Sequence, residues 1–366
     1  MKIIEVEAIP FKIPYGKTLK WATGQADAAD HVLIIIHTDE GIKGYAEAIP
    51  RPTIYGESQI SIIKAIKDWF EPILLNKSPF SIHSIQLEIN KFPGNFTAKG
   101  AIDMALYDIQ ARKAEQPLYH YLGGEYRSIL LTWMVNLDTP EKMVDQVVEK
   151  YEQGFKSFKL KGGIDPVKDV EMVKIIRKNL GEKVFLYIDA NQGYSLSAAG
   201  KIIRELNEYG ISIIEEPLSS NAYVRNFSKN RFLSASPEVS ILGDESVFSA
   251  KDVLRELQAD TIDMVSLKPA RTGVTESRKV MTLIQLFGID VLIGTQGETA
   301  IGTMQSAHIA LGLNVVNYPA ELSFFTIFKE SIVLDLPKVK DGHLYLNESI
   351  GSGIEIDEDK LTFYRL

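Results

Sequence analysis

Cysteine is absent from the 366 residues, which removes disulfides, thiolate metal sites and a cysteine nucleophile together. That absence suits a cytoplasmic protein. Histidine is scarce: the six in the chain show no ligand spacing, and His308 in "MQSAHIALGL" reads as a packed helix residue. Long apolar runs are missing. The longest, "VLIII" at 32–36, is far too short to span a bilayer. The opening "MKIIEVEAIPFKIPYG" has no apolar h-region, so it is not a secretory signal. No basic run occurs, and a net charge of −8 argues against nucleic acid as a partner. A Gly-rich dinucleotide fingerprint is also missing after the first strand, which counts against a doubly wound sheet. What is present is a soluble globular chain, too long for one ordinary core, so two domains or a barrel with an added domain is expected.

The texture changes twice along the chain. Residues 1–125 open with strand-like "MKIIEVEAIPFKI" and "HVLIIIHTDEGIKGYAEAI", the second a pair turning at Asp39-Glu40-Gly41. After Ser58 the apolar spacing becomes helical, in "SQISIIKAIKDWFEPILL" and "TAKGAIDMALYDIQARKA". Strands followed by helices make an α+β domain. Residues 126–327 alternate instead. Short β-rich runs ("ILLTWMVNL", "SFKLK", "VFLYIDA", "ISIIEEP", "VSILGDE", "IDMVSLK", "IDVLIG", "NVVNY") mostly enclose amphipathic helical stretches. Eight such units are the arithmetic of an α/β fold of (β/α)8 type, a TIM-like barrel. Residues 328–366 return to hairpin-like sequence and are expected to fold back onto the first domain.

Inside "FKSFKLKGG" (155–163), Lys159 and Lys161 stand two apart, on one side of an apparent strand. An edge strand with solvated lysines is the simple explanation. The neighbouring units argue otherwise, because a charged group closes five successive strands: Lys161, Asp189, Glu215, Asp244 and Lys268. In a barrel these ends form the active-site mouth. One acid at a strand end is usually a helix cap, but three converging carboxylates repel unless a cation neutralises them. All-oxygen ligation favours Mg²⁺, or Mn²⁺, over zinc. Lys161 and Lys268 then flank the metal from opposite sides. Lys159 is expected to depress the pKa of Lys161 and to offer positive charge to a substrate anion. A metal on the carboxylate of a small-molecule substrate, beside a positioned amine, permits abstraction of the weakly acidic α-proton through an enediolate.

The ordered set "KLK", "DAN", "EEP", "DES" and "LKPARTGV" resembles the enolase superfamily, in its muconate lactonizing subgroup, over essentially the whole chain. The resemblance implies an N-terminal capping domain on the barrel and an even-numbered homo-oligomer. It makes Asp189, Glu215 and Asp244 the metal ligands and Lys161 and Lys268 the acid/base pair, with Glu216 supporting the ligands. A lysine base with Mg²⁺ is a known pattern of that superfamily. Muconate cycloisomerases, dipeptide epimerases and succinylbenzoate synthases with related N-acylamino acid racemases would all use this machinery. Dipeptide epimerases resemble one another in an Asp-x-Asp at the eighth strand end. Here "NYPAELSFF" lacks it, Glu321 being the one acid that could meet a substrate ammonium. "AEL" and "AIPRPTIYGESQ" (48–59) are closer to muconate cycloisomerases, so a lactonizing enzyme is expected. Asn191, Glu298 and Trp21 complete the expected substrate contacts. Glu298 could equally cap the following helix, and Trp21 lies in the "KWATGQAD" loop expected to close over the site. A Schiff-base aldolase would need no metal, and a non-catalytic Mg²⁺-binding homologue would not need two lysines.

Overall fold

A computed structural model describes residues 1–21, 24–219 and 238–366. Three antiparallel strands open the chain: β1 (Ile3–Trp21), β2 (Gly24–Thr38) and β3 (Lys43–Ala48). The β2–β3 turn falls where Asp39-Glu40-Gly41 places it, with Gly41 N donating to Thr38 O at 3.0 Å. Alternation of β2 sends Val32, Ile34 and Ile36 into the core shared with the helices that follow. Ser58 caps the first of these, Gln59–Ala65, by accepting from Ser61 N. The long helix Phe96–Lys113 is buried on nearly every side rather than on one stripe. It lies between this sheet and the barrel helix Pro269–Phe287. There Asp103 accepts from Val274 N at 2.7 Å and Thr275 N at 2.8 Å, satisfying backbone donors freed by the kink at Gly273.

The barrel is a curled parallel sheet of seven strands. In chain order they are β5 (Thr132–Val135), β6 (Ser157–Lys161), β7 (Phe185–Asp189), β8 (Ile213–Glu215), β9 (Ser240–Gly243), β10 (Met264–Leu267) and β11 (Asp290–Ile293). Strand β6 is therefore interior, between β5 and β7, and the edge-strand explanation of its lysines falls. The expected eighth strand at "NVVNY" does not form. The helix Ala300–Gly312 ends there in a turn, with Val315 N returning to Ala310 O. Closure comes a few residues later: Ala320 bridges Leu131, and Glu321 N donates to Ile293 O at 2.9 Å. Tyr187, Ile213, Leu242, Met264 and Leu292 form their own apolar cluster, separate from the core under the helices. Together they plug the lumen and leave the strand ends above them for polar groups.

A short strand β4 (Ile129–Leu130) pairs with the C-terminal hairpin of β12 (Lys338–Lys340) and β13 (His343–Tyr345). The rest of the tail runs along the first domain, where Phe11 bridges Arg365 and Ser352 N donates to Asp108. Among the described residues no helix is long and apolar enough to cross a membrane.

Candidate active site

Register places the charged residues side by side. Lys161 pairs with Asp189 across β6 and β7, and Asp189 with Glu215 across β7 and β8. Asp244 and Lys268 follow the last residues of β9 and β10. Period-two alternation turns Lys159 and Lys161 to the lumen while Phe158 and Leu160 join the outer core. Gly294, just past β11, leaves the space that Lys268 crosses, since a Cβ there would sit 2.8 Å from its Cε.

The acids and amines interlock. Lys159 Nζ lies 3.0 Å from Asp189, 2.8 Å from Glu215 and 3.0 Å from Glu321. Lys161 donates to Asp189 at 2.6 Å and to Asn191 Oδ1 at 3.2 Å. Lys268 is bonded to Asp244, whose other oxygen accepts from Arg271 at 2.8 Å. Burial works against ionising Asp189, but Lys159 and Lys161 outweigh it and hold its carboxyl down at about 2. Burial likewise opposes charge on Asp244, which Lys268 and Arg271 hold far below the carboxylate range. Glu215 goes the other way. Burial and then Asp189 push it well above its ordinary value, because Lys159 is shared among three acids. Burial, then Asp244 and Asp189, raise Glu245 to about 8.

These residues fit a hard divalent cation. The donor set is all oxygen. Glu245 Oε2 is buried without a hydrogen bond, and two raised carboxyls, Glu215 and Glu245, mark negative charge that the amines do not fully balance. Among the described residues ammonium groups stand between the acids, so no bare cradle of three carboxylates exists.

Above this layer opens a cavity of about 590 Å³ between the barrel mouth and the first domain. Lys159, Lys161, Lys268, Asn191, Asp244 and Glu245 line its barrel side. Across from them stand Tyr15, His31, Arg51, Tyr55 and apolar groups such as Leu19 and Ile54.

Several expected contacts change role. Lys159 is 1% exposed and ringed by carboxylates that, against the cost of burial, raise its pKa well above the lysine value. Its charge neutralises these acids, and it also lines the floor of the cavity. Glu321 is buried below, accepting from Lys159, Tyr187 Oη at 2.7 Å and Thr295 N at 3.1 Å, so it is not open to a substrate ammonium. Glu298 turns back into its own loop, accepting from the Thr295 hydroxyl and from Gln296 N at 2.9 Å, and does not line the cavity. Asn191 does line it, and donates to Glu245 at 3.1 Å. The side chain of Trp21 lies outside the described residues. Glu216 supports its neighbours by accepting from Asp244 N at 2.8 Å and Ser246 N at 3.0 Å.

Sequence reasoning gave no role to Arg271, although "LKPARTGV" contains it, nor to Tyr55, which Arg271 contacts at 3.3 Å. Along Tyr55-Gly56-Glu57 the tyrosine lines the cavity, while Glu57 caps the helix Phe96–Lys113 through Phe96 N at 2.5 Å and Thr97 N at 3.1 Å.

Residues 4–123 match the mandelate racemase / muconate lactonizing enzyme N-terminal domain, and residues 142–360 the enolase C-terminal domain-like family. A hydrophobic dipeptide epimerase of Enterococcus faecalis is 32% identical over 85% of this chain and 87% of its own. The crystal structure of a muconate lactonizing enzyme from Mycobacterium smegmatis, complexed with muconolactone, superposes with a TM-score of 0.95 at 34% identity, covering all of both chains. A dipeptide epimerase from Enterococcus faecalis, complexed with Mg and L-Leu-L-Tyr, gives 0.90 at 31% identity over 97% of this chain and all of that one. With both of its domains matched, the chain belongs to the enolase superfamily, in the mandelate racemase / muconate lactonizing enzyme family of isomerase-type enzymes.

Proposed function

We propose that this chain is a Mg²⁺-dependent enzyme that moves the proton α to a substrate carboxylate, and that it lactonizes a muconate-type dicarboxylate. The supporting observation is the placement of Lys161 and Lys268, on β6 and after β10, on either side of the acid layer of one cavity. Asp189, Glu215 and Asp244 would hold the metal. When bound, it supplies the charge that makes a second negative charge on the substrate carboxylate tolerable. Lys161 takes the α-proton of the lactone, and the electron pair left behind expels the ring oxygen from the β-carbon as a free carboxylate. In the forward direction that carboxylate adds to the double bond, and Lys161 returns the proton to the α-carbon. Lys268 holds a cation against the developing charge. Atoms and electrons balance without a further reactant.

The choice of a diacid over a dipeptide is supported by Glu321. A dipeptide brings an ammonium group that needs a free carboxylate at the eighth strand end, and Glu321 is engaged by Lys159, Tyr187 and Thr295. Turnover of muconates, dipeptides and N-acylamino acids with Mg²⁺ in D₂O tests the reading. Lactone formation from a muconate upholds it, and epimerisation of a dipeptide with no turnover of muconates overturns it.

A further inference from the structure

Two polar side chains are buried behind the barrel mouth, outside the cavity. Asp169, on the helix Pro166–Leu180, is 6% exposed, and Tyr194, in the loop after β7, is 5% exposed. Neither lines the cavity. Asp169 does not cap its own helix, because Asp165 does so by accepting from Val167 N. Among the described residues no lysine or arginine pairs with it, and burial raises its carboxyl above the ordinary value. A buried acid without a cation is costly unless its lone pairs are used. Asp169 Oδ2 accepts from Gly163 N at 2.9 Å and from the Tyr194 hydroxyl at 2.6 Å. One carboxylate oxygen thus joins the loop after β6 to the loop after β7.

Those two loops carry Lys161 and Asn191. Lys161 is the last residue of β6, and the chain leaves the sheet through Gly162 and Gly163. Two glycines give that exit the widest choice of backbone conformations, so its path has to be set from outside. Gly163 takes a φ of +88°, and a Cβ on it would lie 2.0 Å from Ala190 O, as one on Gly193 would lie 2.2 Å from Gly163 O. The loops therefore interlock backbone to backbone. Asn191 and Gln192 hold left-handed φ values of 41° and 66°, which non-glycine residues keep only where the surroundings impose them. Gln192 N donates to Glu216 O at 2.7 Å and Tyr194 N to Pro217 O at 3.1 Å, tying the loop to the end of β8 as well. So held, Asn191 accepts from Lys161 Nζ. We propose that Asp169 and Tyr194 are positioning residues for proton transfer, aiming Lys161 at the substrate α-carbon by fixing its loop to that of Asn191. The inference rests on the reading above that Lys161 moves the α-proton. It adds that the aim is set from the helix layer, through a hydrogen bond that no substrate touches.

The test follows deuterium wash-in at the α-carbon of muconolactone, a dipeptide and an N-acylamino acid, with the Mg²⁺-loaded full chain. Tyr194→Phe removes only the hydroxyl. For whichever compound the wild type exchanges, it should lower exchange and kcat together about tenfold, leaving KM and calorimetric Mn²⁺ affinity within about twofold. Asp169→Asn should cost no less, and the double variant no more than Asp169→Asn alone, since the two residues act through one hydrogen bond. Exchange and kcat at the wild-type level in Tyr194→Phe overturn the pair. So does a loss matched by an equal loss of Mn²⁺ affinity, which a general loosening of the barrel mouth would give, and so does an additive double variant. Tyr194→Phe keeps the ring in its place, so it decides the question even where Asp169→Asn does not fold. The substrate is read separately. Tyr194-dependent exchange of the dipeptide, with none of the lactone, removes the lactonizing reading and upholds the pair. Lactone exchange untouched in Tyr194→Phe keeps that reading and removes the pair. Exchange undiminished in Lys161→Ala, or absent from the wild type with every compound, overturns the proton-transfer reading and the pair with it.

Discussion

Arg271 donates to Asp244 Oδ1 at 2.8 Å with one guanidinium nitrogen, and with the other ties down the carbonyls of Asp244, Val247 and Ser266. One side chain thereby fixes both the carboxylate and the backbone that carries it. Arg271→Met leaves a buried acid and three carbonyls without their donor, and should cost about 3–5 kcal/mol of stability. Chemical denaturation measures this. An unchanged midpoint would mean that Arg271 is not what holds Asp244.

Removal of the metal is the second test. Activity should vanish on exhaustive chelation and return with Mg²⁺ or Mn²⁺. Glu215→Gln keeps the size of the side chain but loses its charge, and should weaken Mn²⁺ binding at least about tenfold in a calorimetric titration. Binding as tight as wild type would take Glu215 out of the ligand set.

His308 predicts an acid limit that has nothing to do with the site. It is buried, accepts from Tyr119 N at 3.1 Å and stacks on the Tyr119 ring at 5.5 Å. Burial lowers its pKa to about 3. The unfolded chain takes up that proton near pH 6.5 and the folded one near 3, so stability falls as pH drops through that window. At pH 5 the loss from this one group is about 2 kcal/mol. His308→Gln should flatten the pH 7 to pH 5 difference in unfolding free energy by that amount. An undiminished slope would assign the acid sensitivity elsewhere.

The strand-end pattern was legible because β6 to β10 each bring one charged residue to the same level, and that spacing survives in one dimension. Residues whose role depends on approach from another element were not. Nothing near Lys159 in the sequence announces Glu321, 162 positions later and 3.0 Å away. Glu298 reads equally as a helix cap or a substrate contact until its carboxylate is seen to turn back on Thr295 and Gln296. "NVVNY" has the composition of a strand, yet the turn ending the preceding helix takes Val315 N, and the barrel closes on Ala320 instead.

The central claim is that Lys161 exchanges a proton with the carbon α to the substrate carboxylate, across the acid layer from Lys268. The measurement is α-proton exchange of muconolactone with D₂O, followed by NMR, for the Mg²⁺-loaded wild type, Lys161→Ala and Lys268→Ala. Wild type should wash deuterium in. Lys161→Ala should lose that exchange and about 10² to 10⁴ of kcat, while Lys268→Ala should turn over poorly yet retain some exchange. Exchange at the full rate in both variants would show that another residue is the base, and would contradict the account.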